Sequence, residues 1–185
     1  MIAVGLTMMM TVMTQEYGNS DPLLVSETIS FAQYSAEPNM MRAIAELNSR
    51  RASQCGKVAL ASSFKTDPDA LLLASLLEQD NVPGYERALE LASGSCDFTG
   101  DSSQVLLDEY SAMGAYSQEP QILQGLADIN SVLGKLCGQV VEVNAFGLSG
   151  DLTPIMFMFH EKRFEEYKQA IADLDCSLFK TQVKG

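Results

Sequence analysis

At 185 residues the chain has the length of one compact domain or two closely packed halves, and an apolar content of 46% excludes wholesale disorder. Twelve basic against 24 acidic residues leave a formal charge of −12, a field that repels phosphate backbones and anionic lipid. The one dense basic pair, Arg50-Arg51, is too short for a nucleic-acid surface, so nucleic acid is set aside; the acidity fits a cationic partner, though solubility is its commoner explanation.

Residues 1–17 form an apolar leader. Ile2 to Thr14 carries no charge, and its length suits the apolar region of a secretion signal rather than a stable membrane span. The basic start and clean cleavage site of such a signal are missing, which leaves a signal remnant or an apolar helix packed on the core. Export places the four cysteines, an even number, in a periplasmic or extracellular oxidising space.

Helix signals follow in chain order. Ser20 or Asp21 caps a first helix with Pro22 in its opening turn, running to about Gln33. Glu37-Pro38 opens a second, with Met41, Ile44, Ala45, Leu47 and Ala52 at helical spacing. Asp67-Pro68 opens a third through Leu71, Leu72 and Leu76, and Pro83-Gly84 a fourth that ends near Ser93-Gly94. Asp101 or Ser102, Glu119-Pro120 and Thr153-Pro154 mark three later starts, before a last helix from about Arg163 to Leu174. Gln139 to Phe146 is valine-rich and has strand character, yet its counterpart Lys57 to Phe64 reads as helix, so helix is expected for both. Gly56 and Gly138 either end the preceding helix in a left-handed conformation or admit a close backbone approach.

Residues 18–64 recur at 100–146 without a gap, at an offset of 82. Gly18, Ser20, Leu24, Glu27, Tyr34, Ser35, Glu37, Pro38, Ala45, Asn48, Ser49, Cys55, Gly56, Val58 and Phe64 meet identical residues. These are fifteen identities over 47 positions, where chance would give about three. The match fades afterwards, although Tyr85, Ala88 and Leu89 keep the offset to Tyr167, Ala170 and Ile171. The sequence therefore predicts an all-α fold made by tandem duplication of a four-helix unit. Residues 18–98 form one unit, 99–180 the other, and 181–185 a tail. Two packed bundles and a short helical-repeat stack both satisfy the pattern.

Of the three pairings that four cysteines permit, treating both units alike favours Cys55–Cys96 and Cys137–Cys176, with four buried free thiols as the alternative. Stacked repeats would hold equivalent residues roughly 10 Å apart, too far for a bridge, so disulfides favour the compact arrangement. A zinc or redox site is not expected, because no CxxC occurs and His160 is the single histidine.

Chemistry-bearing motifs are scarce. His160-Glu161 lacks the second histidine of a zinc-protease helix, there is no G-x-S-x-G, and no glycine-rich phosphate loop occurs, so no catalytic residue and no cofactor is assigned. The repeat-equivalent polar residues Asn48, Ser49, Asn130 and Ser131 lie mid-helix, where buried hydrogen bonds or a pair of equivalent sites would explain them. Tyr34 and Glu37, with Tyr116 and Glu119, mark a helix-helix turn where the tyrosine packs and the glutamate complements the next helix start. The paired carboxylates Glu46 and Asp128 read as solvated. Met8 to Met10, Met40-Met41, Met156 and Met158 offer adaptable apolar surface, and Phe157, Met158 and Phe159 would form an interface patch if exposed. The expected function is a non-catalytic, exported helical protein that binds another protein, of inhibitor, immunity or adaptor type. A carrier of an apolar small molecule between helices is the alternative, and self-association stays open.

Overall fold

Proline sits in the first turn of most helices, where its missing N–H would have had no partner in any case. The computed structural model describes residues 18–146 and 152–179; the expected leader and the tail at 181–185 lie outside the described residues. Within them the fold is all-helical, with no strand beyond two isolated bridges. Helices α1 (Pro22–Phe31), α2 (Pro38–Cys55), α3 (Pro68–Glu78) and α4 (Val82–Gly94) come first. They are followed by α5 (Gln104–Gly114), α6 (Pro120–Cys137), α7 (Val143–Phe146), α8 (Thr153–His160) and α9 (Phe164–Ala172). Asp21 and Asp67 cap α1 and α3 by accepting two backbone N–H groups each. α5 starts later than Asp101 or Ser102 because the backbone of Asp101 is taken by a bridge to Val58, and Ser103 occupies the cap position.

Gly56 and Gly138 end α2 and α6 with φ of 62° and 65°, the left-handed region that a side chain makes costly. Beyond each glycine the helix expected at 57–64 and 139–146 does not continue at once. Val58 exchanges both backbone hydrogen bonds with Asp101, at 2.8 Å each, and Val140 does so with Asn19, at 2.8 and 2.9 Å. The Asn48 amide donates to Ala59 O (2.7 Å) and accepts from Ala59 N (3.0 Å); Asn130 holds Val141 in the same way, at 2.7 and 2.8 Å. Such paired bonds require an extended backbone and override helical propensity. Helical turns resume only at Ala61–Ser63 and Val143–Phe146.

All these contacts recur at the offset of 82, and the two bridges are reciprocal: each half lends its first residues to the other. Helices follow the same exchange. α5 packs on α2 and α1 on α6, while α2 and α6 meet between them. Within each half, α3 and α4 pack on α2, and α8 and α9 on α6. One apolar core runs through both halves. α5 crosses α2 closely at Gly114, where an added β-carbon would fall 2.2 Å from Ser49 Oγ.

Cys55–Cys96 and Cys137–Cys176 are disulfides, with Cα–Cα distances of 5.5 Å in both, so the end of α2 is tied to the chain after α4 and the end of α6 to the chain after α9. Sequence separations of 41 and 39 residues correspond to up to about 4 kcal/mol per bridge on the chain-entropy account. No described helix is long and apolar enough to cross a membrane.

Candidate functional site

The polar residues shared by both halves are committed to the scaffold. Asn48 and Asn130 are fully buried and bonded to backbone, as described above. Ser49 lies in the α2–α5 crossing, and Ser131 is half-buried on α6. Glu46 and Asp128, expected to be solvated, are half-buried and bound: the Tyr85 hydroxyl donates to Glu46, and Tyr167 donates to Asp128 at 2.8 Å. Glu46 also accepts from Ser117 Oγ (2.9 Å) and pairs with Arg42 (3.3 Å). The basic dipeptide is not a free patch either. Arg51 is buried against Asp67 and Asp69, at 3.1 and 3.0 Å, and Arg50 faces Glu86 at 3.6 Å.

Two further carboxylates occupy equivalent places and were not singled out by the sequence. Glu27 accepts the Ala61 N–H at 2.6 Å, and Glu109 accepts the Val143 N–H at 3.1 Å. Tyr110 donates its hydroxyl to Glu27 at 2.6 Å, from the other half of the chain. Its counterpart is Thr28, whose hydroxyl turns to Leu24 O at 2.8 Å and leaves Glu109 without a comparable donor. A cavity of about 20 Å³ lies among Thr28, Glu109, Tyr110 and Asn130. Burial pushes the Glu109 carboxyl up to about 8, opposed by the Val143 N–H and reinforced by the nearby Glu142. Burial also raises Glu27, against the opposing Tyr110 and Ala61 hydrogen bonds.

Where the halves differ, a cleft opens. It encloses about 440 Å³ between α6, α7 and α8. Ile122 and Leu126 line it from α6, Val143 and Phe146 from α7, and Met156 and Phe157 from α8, all apolar. Tyr116, Glu119, Gln121, Thr153 and His160 supply the polar groups. Thr153, Met156, Phe157 and His160 fall at i, i+3, i+4 and i+7, one stripe of a helix. In the first half, Tyr34 is buried and donates to Ala61 O at 2.9 Å, and Met40 is buried too. Their counterparts Tyr116 and Ile122 are only half-buried.

The structure thus brings Tyr116 and Glu119 to one cleft with Phe157, Glu119 staying exposed there as its counterpart Glu37 does in the first half, while Tyr34 is in the core. Of the expected interface patch, Phe157 is 58% exposed. Met158 and Phe159 pack on the core instead, with the Phe159 ring 5.0 Å from Tyr167 and 5.5 Å from Phe164. Met40 and Met41 are core residues, and Met8 to Met10 lie outside the described residues. Among the described residues no group of three His, Cys, Asp or Glu side chains is placed to hold a metal ion. Compared with known protein families, curated proteins and solved structures, the chain matches none.

Proposed function

We propose that the chain is an exported, non-catalytic binding protein, built by tandem duplication of one helical unit, whose second half carries an apolar small molecule. The cleft is the observation that carries this reading. Its volume of about 440 Å³ and its six apolar lining residues, with a few polar groups at hand, match the usual form of a small-molecule site. Duplication is supported by fifteen identities and by hydrogen bonds that recur at the same offset. After duplication, one copy keeps its tyrosine and methionine packed inside, and the other is free to specialise. The apolar run at Ile2 to Thr14 and the two disulfides support export.

Catalysis fits the site less well. His160 and Glu119 line the cleft, but neither Ser nor Cys does, and the cysteines are consumed in disulfides. A protein partner is the second reading, favoured by exposure of Phe157 beside the cleft and of Phe164 on α9, at 58% and 46%.

Titration with N-phenyl-1-naphthylamine, a neutral dye that brightens on leaving water, separates the readings. A carrier gives saturable one-to-one binding, and Ile122→Trp, which fills the cleft, abolishes it while leaving helical content unchanged by circular dichroism. No binding, or binding indifferent to Ile122→Trp, overturns the carrier reading.

A further inference from the structure

We propose that the ligand of this cleft is an apolar organic cation: a tertiary or quaternary ammonium group on an apolar body. This rests on the carrier reading above and adds the chemistry of the head group.

Three observations point the same way. First, among the described residues no Lys or Arg lines the cleft, and Glu119 is the one carboxylate that does. A fatty acid or a phosphate ester would therefore bring a second negative charge beside Glu119, inside a chain of formal charge −12, with His160 the one basic side chain among the described lining residues. Second, Glu119 is not consumed by the scaffold. It occupies the N-cap position of α6, yet its side chain makes no capping bond, and it forms no ion pair among the described residues. Glu46, on the equivalent helix of the first half, is by contrast bound by Arg42, Ser117 and Tyr85. Third, the rings of Tyr116, Phe146 and Phe157 line the same cleft. Aromatic faces carry negative potential and attract ammonium groups, most strongly where water is displaced. An alkylated ammonium satisfies the rings, the carboxylate and the apolar floor together. A neutral apolar ligand uses only the floor.

The test uses three probes with one tail: octyltrimethylammonium, 1-octanol and octanoate, each titrated into the full chain by calorimetry alongside the dye. The expected result is that the cation binds at least about tenfold more tightly than octanol, and octanoate more weakly than octanol. Glu119→Gln should bring the cation-to-octanol ratio to within about threefold of one, whereas Glu37→Gln, its exposed counterpart in the first half, keeps the wild-type ratio. Rising salt should shrink the wild-type ratio. If the dye and octanol bind but the cation holds no advantage, or if the advantage survives Glu119→Gln, this inference falls and the carrier reading stands. If neither the dye nor any octyl probe binds, both fall.

Discussion

Glu109 sits in an environment far from the one it meets in the unfolded chain. Its folded pKa of about 8 stands well above the ordinary 4.5, with burial as the main cause. The unfolded chain therefore releases this proton at lower pH than the folded one. Between those values the native state binds more protons, so stability is highest below the unfolded pKa and falls as pH rises through the folded one. Glu27, raised for the same reason, adds the same sign. Urea midpoints at about pH 5 and about pH 8 should show a loss on the order of 3 kcal/mol. Glu109→Gln keeps an acceptor for the Val143 N–H but has no proton to lose, and should remove most of that slope; an unchanged slope would show that Glu109 is not its source. The identity of Glu27 with Glu109 is visible in the sequence, but their burial is not, since glutamate is ordinarily a surface residue. Asn48 and Asn130 were more legible. Asparagine is a poor helix former, and keeping it mid-helix in both halves implied the buried backbone bonds that are seen.

At the scale of elements, the α3–α4 and α8–α9 hairpins share a turn geometry without sharing sequence. Asp80 and Lys162, 82 residues apart, both turn with positive φ, at 53° and 61°. The residue after each closes the turn the same way, Asn81 N to Leu76 O and Arg163 N to Met158 O, at 2.9 Å both. No residue from Leu76 to Asn81 is shared with Met158 to Arg163, so comparison of sequences could not reveal this. Hydrogen-bond geometry selects the backbone, and several side chains tolerate it. Lys162 is exposed, so Lys162→Gly should leave thermal stability unchanged or raise it by up to about 1 kcal/mol. Lys162→Val should cost about 1 kcal/mol or more, because a β-branched residue fits this conformation poorly. Equal melting temperatures for the two variants would refute the left-handed turn. Helix starts were legible because Pro and Asp carry local instructions. The extended residues directly after Gly56 and Gly138 are not legible in the sequence because their partners, Asp101 and Asn19, are distant along the chain.

At the scale of the molecule, the sequence shows which residues correspond but not which half they pack on. α1 rests on α6 and α5 on α2, so each half completes the other, an exchange that repeat matching alone cannot distinguish from two separate bundles. The cleft is legible only in fragments: Tyr116, Glu119, Met156, Phe157 and His160 stand out in the sequence, whereas Ile122, Leu126, Val143 and Phe146 look like ordinary helix faces and Thr153 like a helix start. A cleft that lies where the two halves differ leaves little mark when each half is read for its likeness to the other. The direct measurement is therefore methyl NMR of the full chain with labelled methionine and isoleucine, recorded while the naphthylamine dye is added. The account predicts shifts at Ile122 and Met156 in the cleft, with Met40 and Ile44, the buried counterparts of Ile122 and Leu126, left in place. Equal shifts in both halves, or shifts confined to the first, would contradict it.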